Sequence, residues 1–103
     1  MNLGKESERI EFKETIYELE AGLKSISSML NRNKEATLYF DINDNGDVIG
    51  IDIAKNTIIK IKEKMKAKIK PMVIPEIEEM KTDDGKVYIK VCVSGTNIPY
   101  SYD

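Results

Sequence analysis

The spacing of the apolar residues changes repeatedly along this 103-residue chain, and that change restricts the fold more than any other feature. Apolar residues that recur at three- and four-residue steps predict amphipathic helices, first over Thr15–Leu30 and then from Ala54 or Asn56 to Lys70. Thr15 is a suitable N-cap for the first helix, and Pro71 ends the second. The chain therefore contains two helical segments between stretches of a different period.

Alternation of apolar and polar residues marks those other stretches as strands. The predicted strands are Arg9–Glu14, Thr37–Ile42, Val48–Ile53, Glu76–Met80 and Val87–Val93. Asn45-Gly46 and Asp84-Gly85 predict tight hairpins, the first of type I′, in which both central residues have φ > 0. The resulting order is β-α-β-β-α-β-β, an α+β fold with a mixed sheet, two hairpins and both helices on one face. Ile10 and Phe12 are expected to face the core, and Glu11 to point away from it.

The composition limits the chemistry that is open to the chain. Histidine is absent, which excludes Ser-His and Cys-His nucleophile pairs, zinc sites with histidine ligands and imidazole bases. Cys92 is the only cysteine, so no internal disulfide forms, which suits the reducing cytoplasm. No apolar run approaches the roughly 18 to 20 residues of a membrane span. We expect one cytoplasmic domain with one core over residues 1–103, a fragment of a longer protein.

Charge is distributed unevenly along the chain, whose formal net charge is −2. Residues 1–53 carry 6 basic and 11 acidic side chains, and residues 71–103 carry 3 and 6. Residues 54–70 carry 7 basic side chains and 1 acidic one, a net charge of +6. Such a segment is either a solvated lysine face or a contact surface for phosphate, nucleic acid or an acidic partner. The alternate lysines from Lys60 to Lys68 cannot share one helical face, so they are expected to flank the buried stripe on both sides.

The acidic and amide residues between Asp41 and Asp52 reproduce part of an EF-hand calcium loop, with Gly46 at its sixth position. The flanking residues have strand period, however, and position 12 is Asp instead of the usual bidentate Glu, so a hairpin is favoured. The stretch Gly46–Gly50 lacks the spacing and the Lys-Ser/Thr ending of a phosphate-binding P-loop. Neither calcium nor a nucleotide in a P-loop is expected.

Three stretches of the sequence resemble a known family. They are Glu6-Ser7-Glu8-Arg9-Ile10-Glu11-Phe12-Lys13-Glu14, the segment from Thr37 to Ile51 with its Asp-x-Gly-x-x-x-Gly pattern, and Asn97-Ile98-Pro99-Tyr100. Over nearly the whole chain, the sequence resembles the AlbA-type DNA-binding domain shared with Schlafen proteins. The segment Asn31–Ala36 keeps the Asn of the family's Asn-Thr-x-Gly-Gly but loses both glycines, and Asp41 stands where the family usually has Gly.

The resemblance implies two functions. Family members include transcriptional regulators, and some eukaryotic Schlafens are metal-dependent endoribonucleases that act on structured RNA. By this resemblance, Glu6, Glu11 and Asp44 match the carboxylate triad of the nucleases, and Lys13 matches the lysine beside it. The triad would hold Mg²⁺ or Mn²⁺, hard cations that favour oxygen ligands. A domain that only binds nucleic acid requires no cofactor.

The leading prediction is a nucleic-acid-binding domain of a transcriptional regulator rather than an enzyme. Basic side chains would contact phosphates, and the candidates are Arg32, Lys34, Lys55, Lys60, Lys62, Lys64, Lys66 and Lys68. Because the chain has 5 Tyr, 2 Phe and no Trp, extensive base stacking is not expected. The alternatives are the Mg²⁺- or Mn²⁺-dependent endoribonuclease and a protein-interaction module that forms a homodimer through a sheet edge.

Overall fold

The computed structural model describes residues 1–50 and 56–103. Its elements, in chain order, are β1 (Ile10–Lys13), α1 (Leu19–Asn33), β2 (Glu35–Phe40), α2 (Thr57–Lys68), β3 (Ile69–Lys70), β4 (Glu76–Lys81), β5 (Val87–Ser94) and β6 (Ser101–Tyr102). The main sheet has the strand order β1-β2-β5-β4, and β3 pairs with β6 in a second, two-stranded sheet. Because β1 and β2 are parallel and the other neighbours are antiparallel, the predicted mixed sheet is confirmed.

Both predicted helices form, with small differences at their ends. Helix α1 follows a single 3-10 turn, Ile16–Glu18, which Thr15 caps by accepting a hydrogen bond from the Tyr17 N–H on its Oγ1 at 3.0 Å. The helix continues past the predicted end and stops at Lys34, a residue with a left-handed φ of 63° whose N–H bonds to Leu30 O. Neither helix in the described ranges has the length and apolar character needed to cross a lipid bilayer.

The main core lies between the helices and one face of the sheet. The buried side chains come from both helices and both central strands, and include Leu23, Ile26, Leu30, Leu38, Phe40, Ile61, Met65, Ile89 and Val91. Burying each such side chain contributes roughly 1.5–3 kcal/mol. Helix α1 approaches β2 closely at Gly22, where an added Cβ would press against the Leu38 side chain. The helices therefore cover one face of the sheet, as predicted.

The opposite face of the sheet carries a second, smaller core, which corrects the expectation of a single one. The ring centroid of Tyr39 lies 5.9 Å from that of Phe12 and 6.2 Å from that of Tyr88. The register of β1 aligns Phe12 with Tyr39 and Glu11 with Leu38, so Glu11 lies on the face that carries the helices. Alternation shows which residues share a face, but it does not show which core that face meets.

Both predicted hairpin turns form, but their geometry is not type I′. The Gly46 N–H donates to Asn43 O at 2.9 Å, and the Gly85 N–H donates to Thr82 O at 3.0 Å. Gly46 (φ 87°) and Gly85 (φ 86°) are left-handed, whereas Asn45 is not. Each glycine therefore occupies the fourth position of its turn and begins the return segment, as in a turn followed by a glycine bulge. The type I′ prediction is wrong because it requires φ > 0 at Asn45 as well.

Some predictions fall on residues outside the described ranges. They are the last part of the predicted strand Val48–Ile53, the start of the second helix at Ala54, and the phosphate-contact candidate Lys55. In the described part of that strand, Val48 forms an isolated antiparallel bridge with Ile42.

The first five residues, here called the N-terminal arm, lie along the Asn43–Gly46 turn. The Leu3 N–H donates to Gly46 O at 2.8 Å, and Met1 O accepts from the Val48 N–H at 3.0 Å. The Asn2 side-chain amide donates to Asn45 O at 2.9 Å and to Asp47 Oδ1 at 2.7 Å. These contacts hold the arm against the turn and so bring the residue that follows it, Glu6, towards the same region.

We predict that Gly46→Ala destabilises the protein more than Gly85→Ala does. Both glycines have nearly the same φ, so each substitution should cost about 1 kcal/mol of backbone strain. A Cβ at Gly85 meets no atom within 4 Å, whereas one at Gly46 would overlap the carbonyl oxygen of Gly4. Gly46→Ala should therefore lose a further amount of folding free energy, on the order of 1 kcal/mol, because the added Cβ displaces the arm. Urea unfolding of the two variants measures the difference, and equal losses would contradict the contact between arm and turn.

Candidate carboxylate cluster and nucleic-acid interface

Glu6 folds back onto the free edge of the sheet. Strand β1 lies at that edge, and Glu6 Oε1 accepts a hydrogen bond from the Phe12 N–H at 3.0 Å. The Ser7 N–H and Ile10 O add a second contact between the same segments, at 3.0 Å. On this side of β1 no neighbouring strand of the described ranges accepts a hydrogen bond from the Phe12 N–H, and the Glu6 carboxylate accepts it instead. This hydrogen bond fixes the Glu6 carboxyl beside β1.

Glu11 and Asp44 are the acidic residues whose charges act on the Glu6 carboxyl group at this edge. Burial is the main cause that raises the pKa of Glu6 above its usual value, and the charges of Glu11 and Asp44 raise it further, whereas the Phe12 N–H lowers it. The three residues that match the nuclease triad are therefore electrostatically coupled through Glu6.

Among the described residues, Glu6, Glu11 and Asp44 do not have the spacing of a three-ligand metal site. In residues 1–50 and 56–103, no three acidic, histidine or cysteine side chains have the spacing of a metal site. Mg²⁺ commonly binds through only one or two carboxylates and keeps several waters, so Glu6 and Glu11 fit it as a donor pair. Lys13 lies two residues beyond Glu11 on the same face of β1 and is half-buried. The metal ligands and the role of Lys13 remain predictions.

The lysines of α2 divide into two rows on either side of its buried stripe, Thr57, Ile61 and Met65. With about 3.6 residues per turn, Lys60, Lys64 and Lys68 follow one flank, and Lys62 and Lys66 follow the other. Lys64 is partly buried and the rest are exposed. Within the described ranges, none of these lysines forms a salt bridge. The sequence prediction that the lysines flank the stripe is confirmed.

The remaining basic candidates are separate from the α2 rows. Arg32 lies in the last turn of α1, where its guanidinium contacts Ser28 Oγ at 3.4 Å, and Lys34 is the left-handed residue that follows. The start of α1, by contrast, lies near Lys60 in a shared groove. Since α1 has 15 residues at about 1.5 Å each, the two ends are about 20 Å apart. Arg32 and Lys34 therefore lie about one helix length from the groove that contains Lys60.

Asn31 and the Asn97–Tyr100 segment, which both contributed to the family resemblance, bind each other. Asn31 Oδ1 accepts from the Tyr100 N–H at 2.6 Å, and Asn31 Nδ2 donates to Tyr100 O at 2.8 Å. The Tyr100 hydroxyl accepts from the Asn97 N–H at 3.0 Å, and its ring is buried in the main core. These residues hold the C-terminal segment against α1, which gives them a structural role.

Asp41 is a buried acid that the sequence analysis did not single out as a functional group. It is only 1% exposed, it has a left-handed φ of 71°, and its Oδ1 has no hydrogen-bond partner among the described residues. Burial raises the pKa of the Asp41 carboxyl to about 6. The sequence held one sign that Asp41 is unusual: by the family resemblance, it stands where the family usually has Gly.

One known protein family matches nearly the whole chain. A family model described as Schlafen, AlbA_2 matches residues 6–103, which include the carboxylate cluster, the basic helix and the Asn31–Tyr100 contact. The chain belongs to this family, and the resemblance seen in its sequence is confirmed. A search among curated proteins finds no significant match to the chain.

We predict that Asp41→Asn stabilises the protein more at pH 7 than at pH 5. The folded state holds the Asp41 proton more tightly than the unfolded state, whose pKa is about 3.9, so wild-type stability is lost as pH rises through about 6. The stability difference between variant and wild type should grow by on the order of 1 kcal/mol over this range. Chemical unfolding at a series of pH values measures it.

Asp47→Asn is the matched control for this experiment. Hydrogen bonding to Asn2 lowers the pKa of the exposed Asp47 carboxyl, so its titration affects stability only below about pH 4. Its difference from wild type should therefore stay constant between about pH 5 and 7. A constant difference for Asp41→Asn as well would contradict the buried, unpaired state of Asp41.

Proposed function

We propose that the chain is a nucleic-acid-binding domain that contacts phosphates through the lysines of α2. One observation carries this proposal: the helix presents two rows of lysines, and no salt bridge within the described ranges neutralises them. Residues four positions apart lie about one helical turn apart, so Lys60, Lys64 and Lys68 form a line of charge suited to a phosphate backbone. The AlbA-type resemblance supports the same function and suggests a role in a transcriptional regulator.

The flank with Lys60 and Lys64 suits nucleic acid better than the flank with Lys62 and Lys66. The second flank borders a groove that also contains Met72 and Ile74, which are exposed aliphatic side chains. The aliphatic residues of the groove beside Lys60, Ile16 and Leu19, are instead partly buried against the main core. Aliphatic side chains bind favourably to apolar groups, and they make no favourable interaction with a charged phosphate. We therefore assign the phosphate contacts to the Lys60 flank.

Because the chain as a whole is not positively charged, its binding to nucleic acid must depend on contacts at the surface of α2. The chain has a formal net charge of −2, so its long-range field does not attract nucleic acid. Residues 54–70, with 7 basic and 1 acidic side chain, supply the favourable potential near the surface. Screening at physiological salt acts over about 8 Å, so the affinity should be moderate and sensitive to salt.

We predict that Lys60→Ala combined with Lys64→Ala weakens binding and reduces its salt dependence. Each lost phosphate contact should lower the slope of log K against log salt by about 1, so the double variant should lose about 2. Fluorescence anisotropy of a labelled oligonucleotide at several salt concentrations measures both quantities. Absence of binding by the wild type at low salt would contradict the proposed function itself.

Lys62→Ala combined with Lys66→Ala is the matched control. It removes the same charge from the same helix, so it changes the net charge equally without touching the Lys60 flank. We expect a slope close to that of the wild type. Equal effects of the two double variants would mean that net charge, and not the Lys60 flank, determines the affinity.

A second candidate function is metal-dependent cleavage of RNA, and the repulsion between the Glu6 and Glu11 charges at the edge of β1 favours it. Two carboxylates that approach closely repel each other when both are ionised, and a bound proton or cation relieves that repulsion. In this role Glu6 and Glu11 would hold Mg²⁺ or Mn²⁺, Asp44 would strengthen the negative potential, and Lys13 would offset negative charge on the phosphate. The metal would polarise the scissile phosphate.

The second candidate predicts a thermal shift with Mg²⁺ or Mn²⁺ that Glu11→Gln abolishes. A cation that binds only the folded state raises the melting temperature as its concentration rises. Without metal, Glu11→Gln should itself raise the melting temperature, because it removes the charge that repels Glu6. Differential scanning fluorimetry with and without each cation separates the two effects. A wild-type melting temperature that ignores both cations would count against the nuclease, as would RNA cleavage that persists in Glu11→Gln.

The homodimer alternative would use the free edge of β4, which is the other edge of the sheet. That strand carries Glu76, Glu78 and Glu79, all exposed. In a symmetric antiparallel pair of two β4 edges, these like charges would face one another, and charged edge residues oppose such pairing. The structure thus gives this alternative less support than either nucleic-acid function.

A further inference from the structure

Tyr17 presents an aromatic ring to solvent from a fixed position. The residue is 95% exposed, more than any other large apolar residue in the described ranges. Its backbone is nevertheless held, because its N–H donates to Thr15 Oγ1 at 3.0 Å and its neighbours Ile16 and Leu19 pack against the main core. The ring therefore contributes little burial to the fold, while its position is defined.

The ring forms part of a groove between the start of α1 and the start of α2. Tyr17, Ile16 and Leu19 line one side, and Asn56 and Lys60 line the other. The groove has a volume of about 330 Å³. It combines an aromatic ring, an amide group and an ammonium group, which are the three groups that stack on a base, hydrogen-bond to its edge and pair with its phosphate.

The acidic residues beside the groove have partners of their own. The Glu18 carboxylate accepts a hydrogen bond from the Glu14 N–H at 3.1 Å, and Glu20 pairs with Lys24 at 3.9 Å. Lys60, by contrast, forms no salt bridge within the described ranges and begins the row that continues with Lys64. Of the described residues that line the groove, Lys60 is the one that carries a charge, and its ammonium group is available to an anion.

We propose that this groove holds one unpaired nucleotide of a single-stranded nucleic acid, with its base on the Tyr17 ring and its phosphate at Lys60. The strand continues along α2 past Lys64 and Lys68. This inference rests on the proposed nucleic-acid binding and specifies the form of nucleic acid that is bound. In a duplex, both faces of each base are already stacked, so a duplex could use the lysine row but not Tyr17.

The exposed side chains on the other flank of α2 do not offer an equivalent site. Ile74 is 83% exposed and lies in the groove with Lys62 and Lys66. Its aliphatic side chain has no flat π-face for a base. Ile74 is therefore a suitable position for a control, because it is similarly exposed and lies in a groove with lysines of the same helix.

The absence of tryptophan from the sequence allows a direct test of stacking. Tyr17→Trp and Ile74→Trp each introduce a single tryptophan into the full chain, at the two flanks of α2. We expect a short single-stranded oligonucleotide to quench the fluorescence of Tyr17→Trp and to leave that of Ile74→Trp unchanged. Quenching at Ile74→Trp alone would overturn the assignment to the Tyr17 groove.

Affinity measurements give a second and independent readout. Tyr17→Ala should weaken binding of the single strand by roughly tenfold and leave binding of the same strand in a duplex unchanged. Tyr17→Phe should restore single-strand affinity, since the ring is what the base contacts. Because Tyr17 is exposed, both variants should retain the wild-type melting temperature, which is measured in parallel.

Failure of this inference is distinguishable from failure of the proposed function. If the wild type binds neither single strand nor duplex, the proposed function is wrong and the inference falls with it. If the wild type binds and Tyr17→Ala binds the single strand equally well, the inference alone is wrong. If Tyr17→Ala weakens single-strand and duplex binding equally, Tyr17 is a general contact, and preference for an unpaired nucleotide is overturned.

Discussion

Strand β2 is hydrogen-bonded along both of its edges, in parallel to β1 and antiparallel to β5. Its side chains also enter both cores, with Leu38 and Phe40 under the helices and Tyr39 between Phe12 and Tyr88 on the other face. The close approach of α1 at Gly22 depends on the same strand. Because β1 has no other strand neighbour, its pairing with β2 also determines where Glu11 lies. The position of the carboxylate cluster therefore follows from the burial of β2.

The N-terminal arm supplies the rest of that cluster. Glu6 reaches the edge of β1 because the arm is hydrogen-bonded to the Asn43–Gly46 turn, and because the Phe12 N–H binds the Glu6 carboxyl. Asp44 lies within the turn itself. The contacts that gather the three acids are thus mostly backbone hydrogen bonds between segments more than forty residues apart. Changes in the turn should be transmitted to the cluster through the arm, without direct contact with Glu11.

The sequence predicted the helices and strands that are long enough for their apolar pattern to repeat. The helices and the longer strands were predictable because Leu23, Ile26 and Leu30, or Ile89 and Val91, repeat a period several times. Strands β3 and β6 have two residues each, which is too short to show a period. The turn type at Asn45-Gly46 was predicted wrongly because it depends on the φ angle of Asn45. The grouping of Glu6, Glu11 and Asp44 into one site was suggested by family resemblance, and it stays a prediction. Tyr17 was not distinguished from a core aromatic, since periodicity does not report exposure.

The two residues that flank β2, Lys34 and Asp41, have a strained backbone. By the resemblance of the sequence to the family, both stand where the family's pattern has Gly. Both residues are left-handed, with φ of 63° and 71°. Glycine adopts this conformation freely, whereas other residues are strained there by about 1–2 kcal/mol. Strain is therefore present at both ends of β2. At Asp41 the substitution adds a second penalty, because the new carboxyl is buried without a partner for its Oδ1 among the described residues. The hydrogen bonds that β2 makes along both of its edges hold these strained residues in place, at a cost to local stability.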